Sequence, residues 1–244
     1  MKRVRSFISF LLCLCLLLLC TGTAFAADLS RNSAVQNKMK HCIITSFQTN
    51  RYADGRPLIV LLLGSKESFY WLDAIEFIRN QEIFGELDVD ILFVTLPKSE
   101  LRYTLWNTAC EDVRSFIIDQ AGTAVFPVII DAASFGGYGG CLLTDLLQES
   151  DITVQELNLA DACNSNCVHA DWIREIAASG TQVNIWGTTA VNNISQNTRE
   201  VIEELDGTEN VFGTVLDCKH GNALYTAIHE YGLHAGLPKT AADE

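Results

Sequence analysis

The run Leu58-Ile59-Val60-Leu61-Leu62-Leu63 is apolar at every position. A strand with one wet face alternates apolar and polar residues. A strand that is apolar throughout is covered on both faces, as in a parallel sheet held between helices. Val89 to Leu96, closed by Pro97, is the next expected buried strand, and Val125-Phe126-Pro127-Val128-Ile129-Ile130 is a further apolar run. His41 to Phe47, Val154 to Leu159, Val183 to Trp186 and Val211 to Leu216 are further strand candidates, rich in β-branched and aromatic residues. Between them lie segments with helical spacing: Trp71 to Ile83, Asp112 to Ile118, Leu142 to Leu147, Asp171 to Ala178, Thr198 to Leu205 and Ala223 to Tyr231. Turns such as Asp54-Gly55-Arg56-Pro57 and Asp206-Gly207 punctuate the series. Strands alternating with helices through short connections predict an α/β fold, a mostly parallel central sheet with helices on both faces. There is no internal repeat, low-complexity tract or dividing linker.

One strand runs directly into Ala132-Ala133-Ser134-Phe135-Gly136-Gly137-Tyr138-Gly139-Gly140. A serine on a tight turn of small residues between strand and helix is a nucleophile elbow. The chain reverses sharply there, so its neighbours must be small. Ser134 would stand at a helix N-terminus, where backbone N–H groups favour developing negative charge. The bland alternative is a glycine-rich turn with an incidental serine.

The stretch resembles the GxSxG elbow of the α/β-hydrolase superfamily, and its SxGGYG form is most similar to esterases of the esterase D and S-formylglutathione hydrolase type. Ala132 departs from the pattern, standing where its first Gly usually lies. The order of elements from His41 onward matches that superfamily, with the elbow after the middle strand. A Rossmann or flavodoxin-like domain shares the alternation, but carries its glycine-rich phosphate loop after the first strand. Here the glycines cluster in mid-chain behind a serine.

The resemblance implies an α/β-hydrolase fold and the chain order nucleophile, acid, histidine. A serine hydroxyl needs a base to take its proton and a carboxylate to orient that base. His220 follows the last predicted strand directly and matches the base in order and place. His41, His169, His229 and His234 do not. Many members carry the acid after the strand before last, but Gly187-Thr188-Thr189-Ala190-Val191-Asn192-Asn193 holds no Asp or Glu. Asp161, after the preceding strand, is the expected acid, with Asp217 as second choice. The oxyanion hole is expected from the backbone N–H of Phe135 and from the loop after Leu63, at Ser65 or Lys66. No metal or organic cofactor is implied.

The chain opens Met1-Lys2-Arg3-Val4-Arg5, continues apolar to Cys20, and reaches Ala24-Phe25-Ala26. A basic start, an apolar stretch and an A-x-A site make a secretory signal peptide. The expectation is cleavage near Ala26, residues 1–26 as signal and 27–244 as one domain, secreted or extracytoplasmic and without a membrane span. The chain carries 17 basic and 30 acidic residues, a net charge of −13, and cleavage would remove three basic ones. Such an acidic chain disfavours nucleic acid and anionic membranes as partners. Six cysteines would remain after the signal. Cys163 and Cys167 are the expected local disulfide, with a metal site using His169 as the alternative. Cys141 is expected as buried packing.

Together these readings point to an exported serine hydrolase acting on a small-molecule ester or related acyl bond, with a site not covered by a cap domain. The alternative is a noncatalytic protein of the same fold that binds a ligand or partner. Its support is the missing acid after the penultimate strand and the altered first Gly of the elbow.

Overall fold

The computed structural model describes residues 35–47, 55–64, 84, 86–96, 103–121, 126–164 and 167–239. The expected signal segment, Asp54 of the expected turn, Ser65, Lys66, the helix expected at Trp71 to Ile83 and Pro97 lie outside the described residues. Among the described residues eight strands form one sheet: β1 (Val35–Lys38), β2 (Ile43–Phe47), β3 (Leu58–Leu63), β4 (Asp90–Thr95), β5 (Val128–Ala133), β6 (Val154–Ala160), β7 (Gln182–Thr188) and β8 (Val211–Leu216). Their order is β1-β2-β4-β3-β5-β6-β7-β8. β1 and β2 enter antiparallel at one edge, and every pairing from β4 to β8 is parallel. The crossovers carry α1 (Tyr103–Ala121), α2 (Gly136–Gln148), α3 (Ala170–Ala178) and α4 (Asn193–Glu204), and α5 (Ala223–Glu230) follows β8.

All six side chains of β3 are buried, as the continuous apolar run requires. On one face of the sheet, Val60, Leu62, Ile130, Ala132, Leu157, Leu159, Val183 and Ile185 join Trp106, Val113, Leu143 and Ile173 from the helices in a single core. Each fully buried aliphatic side chain there contributes about 1.5–3 kcal/mol of transfer free energy. β1 is not in the sequence reading. It is a polar edge strand whose side chains are nearly all exposed, so it has no burial pattern to read. α1 and α4 each begin earlier than their expected helical segments. No described helix is long and apolar enough to cross a membrane.

The opposite face carries a polar row. Asp131, Asn158 and Asn184 are register partners on β5, β6 and β7. Asn158 Nδ2 donates to Asp131 at 2.8 Å, and Asn184 Nδ2 donates to Asn158 at 2.8 Å. The row ends on His234, beyond α5, whose Nε2 donates to Asp131 Oδ2 at 2.8 Å with both side chains almost wholly buried. Burial alone would lower the His234 pKa. The Asp131 charge and hydrogen bond, with Glu156 behind them, more than offset this and raise it above its ordinary 6.5.

The pair therefore fastens the segment after α5 to the strand that leads into Ser134. A raised folded-state pKa means its stabilisation is complete below the ordinary imidazole value and is lost as pH climbs through the folded value. His234→Ala strands a buried carboxylate and is expected to cost about 3–5 kcal/mol. Thermal melts across pH check both points. The wild-type midpoint should fall on the alkaline side of 6.5, and the variant should lack that component.

Candidate active site

β5 ends in the elbow. Ser134 has φ 53°, a left-handed conformation rare for a residue with a side chain. The surrounding chain enforces it by close approach. A Cβ on Gly136 would lie 1.7 Å from the Leu62 carbonyl oxygen, and one on Gly64 would lie 2.2 Å from the Phe135 nitrogen. Glycine at both positions lets the elbow sit against the end of β3. Ala132, where the pattern has its first Gly, is wholly buried and tolerated. The Ser134 carbonyl accepts from Gly137 N–H at 3.1 Å as α2 begins.

Ser134, Asp161 and His220 converge at the C-terminal ends of the strands. His220 lies in a short 3-10 turn, His220–Asn222, after β8. Its Nε2 is 2.9 Å from Ser134 Oγ, and its Nδ1 is 2.6 Å from Asp161 Oδ2. The Asp161 side chain is fully buried, whereas His220 is 29% exposed and open to solvent on one side. Burial tends to raise the Asp161 pKa. Hydrogen bonds from His220, Ser195 and Thr188, with the His220 charge, outweigh it, and the carboxyl is held below its ordinary 3.8. Asp161 is thus ionised at neutral pH and can only accept. His220 Nδ1–H donates to it, which leaves Nε2 facing the Ser134 hydroxyl.

The other sequence candidates go elsewhere. Asp217 accepts from Thr189 Oγ1 at 3.0 Å in an exposed position. Asn192 caps α4 through Ser195 N–H at 2.9 Å. His41 pairs with Asp112, His169 caps α3, and His229 lies against Tyr225. Phe135 opens the α2 turn beside Ser134, where its backbone N–H was expected to serve. The two other oxyanion candidates, Ser65 and Lys66, lie outside the described residues. Sequence reasoning missed Thr188 and Ser195, whose hydroxyls both reach Asp161. The available signal was a polar, hydroxyl-bearing stretch after β7 where a carboxylate is usual.

The expected disulfide is not formed: all six described cysteines are free thiols. Cys163 is buried in the core, where its backbone N–H is held by Thr198 Oγ1 at 3.1 Å, while Cys167 lies partly exposed beyond it. Burial, helped by the Asp161 charge, pushes the Cys163 thiol up to about 12, so it stays protonated and unreactive. Peptide mass spectrometry without reduction is expected to find Cys163 as a free thiol. Cys141 is fully buried. Among the described residues no three His, Cys, Asp or Glu side chains are grouped as metal ligands.

No protein-family model matches the chain, and no curated protein does. Solved structures match it along most of its length. An esterase from Pyrobaculum calidifontis shares 10% identity, covering 88% of this chain and 86% of that one, with a TM-score of 0.54. An alpha-beta hydrolase from Vibrio vulnificus shares 14% identity over 89% and 85% of the two chains, with a TM-score of 0.55. EstE5, in a crystal soaked with p-nitrophenyl butyrate, shares 13% identity over 82% and 80%, with a TM-score of 0.53. The eight-stranded, mostly parallel sheet and these likenesses show that the chain has the α/β-hydrolase fold.

Proposed function

We propose that this chain is an exported serine hydrolase that cleaves an ester or related acyl bond through an acyl-enzyme intermediate. The observation that carries the reading is the unbroken chain Ser134–His220–Asp161, with contacts of 2.9 and 2.6 Å. As Ser134 Oγ attacks the acyl carbon, its proton passes to His220 Nε2. Asp161 holds the tautomer and stabilises the imidazolium. The oxyanion is met by the backbone N–H of Phe135 and a second donor from the loop after β3, at Ser65 or Lys66. His220 then gives its proton to the departing alkoxide, and water repeats the sequence to release the acid.

An ester is favoured over other acyl bonds because solved proteins of this fold include esterases, and because the SxGGYG elbow is similar to the esterase D type. Export rests on the signal-like start, with the mature domain beginning near Ala27. A carboxylate within reach of His220 supports catalysis over the noncatalytic alternative. Rapid mixing with p-nitrophenyl acetate tests the reading. A burst of p-nitrophenol stoichiometric with protein, followed by steady turnover, is expected. Neither burst nor turnover, over a series of acyl lengths, would leave the binding protein as the better account.

A further inference from the structure

The loop after β7 has no carboxylate, yet it is chemically committed to Asp161. Thr188, the last residue of β7, sets Oγ1 2.8 Å from Asp161 Oδ2. Ser195, on α4, donates its hydroxyl to the same oxygen. Behind it, Asn192 Nδ2 lies 2.8 Å from Ser195 Oγ. Thr188, Ser195 and Asp161 all have no solvent exposure. Arg199 fastens the turn from outside, donating to the Thr188 carbonyl and, at 3.2 Å, to the Ala190 carbonyl.

The direction of each hydrogen bond follows from its donors. The Ser195 backbone N–H can only donate, and it meets Asn192 Oδ1 at 2.9 Å. That orients the amide so that Asn192 Nδ2 faces Ser195 Oγ. The amide nitrogen can only donate, so Ser195 Oγ accepts from it and turns its own proton to Asp161. Three donors, from His220, Thr188 and Ser195, thus converge on Oδ2, while Oδ1 is buried without a partner. A lone buried carboxylate could rotate between its two oxygens. This one has a single oxygen that meets every donor.

We infer that Thr188 and Ser195, with Asn192 setting the polarity of Ser195, are positioning residues that aim Asp161 at His220. They occupy the place after β7 where the superfamily pattern has its acid, and they make a carboxylate from β6 usable there. The inference rests on the proposed serine-hydrolase reading for its kinetic consequence. Neither hydroxyl touches the reacting atoms, so the effect must be on turnover through geometry. Misplacement of a catalytic group on the scale of an ångström lowers rate by up to about 100-fold.

Thr188→Val, Ser195→Ala and the double variant, with Thr188→Ser as the conservative control, test this. Each hydroxyl loss is expected to lower kcat on p-nitrophenyl butyrate about tenfold, and the double about 100-fold, with KM within about twofold. Thr188→Ser should keep the wild-type kcat. A double variant that keeps its kcat, a rise in KM alone, or a Thr188→Ser as impaired as Thr188→Val would overturn the inference. The low-field proton resonance of His220 Nδ1–H reads the same network without turnover. It is expected in wild type and Thr188→Ser and should be weakened and moved upfield in the double variant. An inactive wild type would sink the hydrolase reading alone. An unchanged resonance in the double variant would sink the positioning role alone.

Discussion

Ser134→Ala is expected to lower kcat by about 10⁶-fold, to the level left by binding and backbone donors alone. The loss is this large because the proposed acyl-enzyme route needs the oxygen itself. With Oγ gone, His220 Nε2 loses its partner at 2.9 Å and has no proton to receive. The fold should be indifferent. Alanine accepts or resists φ 53° much as serine does, and the glycines that make the turn possible, Gly64 and Gly136, are untouched. Kinetics on p-nitrophenyl butyrate beside a thermal melt check the two halves. Retained turnover at a normal melting temperature would remove Ser134 from the mechanism.

Asp161→Asn should lower kcat by about 10⁴-fold with a much smaller change in KM. The substitution keeps shape and removes charge. In wild type the carboxylate is ionised, fully buried and 2.6 Å from His220 Nδ1. In the proposed mechanism it stabilises the imidazolium that forms as Ser134 attacks, an interaction stronger in the transition state than in the ground state. The pH behaviour has a definite sign. A carboxyl held below 3.8 contributes stability that is present above that value and is lost as pH falls through its folded value. Asp161→Asn should therefore lack that component of acid sensitivity. Thermal melts at acid pH, wild type against variant, read it.

Local pattern carried much of this account. Mainly apolar runs marked β3, β4 and β5, because burial on two faces leaves few polar positions; Asp90, Thr95 and Asp131 are buried polar exceptions. Small residues around Ser134 marked the elbow, since a strained reversal admits few side chains. Asp161 and His220 could be picked because Asp161 directly follows a strand and His220 lies on the loop after the last one, and parallel strands end on one edge of the sheet. What escaped has no local signature. β1 is polar and exposed, so nothing separates it from loop. Thr188 and Ser195 are ordinary hydroxyl residues until the sheet sets them against a carboxylate 27 and 34 positions away. His234 and Asp131 are separated by 103 positions. Cys163 and Cys167 misled because closeness in sequence says nothing of burial, and Cys163 is packed in the core.

The central claim is that Ser134 is an activated nucleophile. A fluorophosphonate reacts with a serine whose proton has somewhere to go and spares a spectator hydroxyl. Incubating the intact protein with an excess of the probe and mapping the adduct by peptide mass spectrometry tests the claim most directly. The account predicts one phosphonyl group per chain, on Ser134, and no adduct in Ser134→Ala. An unlabelled wild-type protein, or an adduct on another residue that persists in Ser134→Ala, would contradict it.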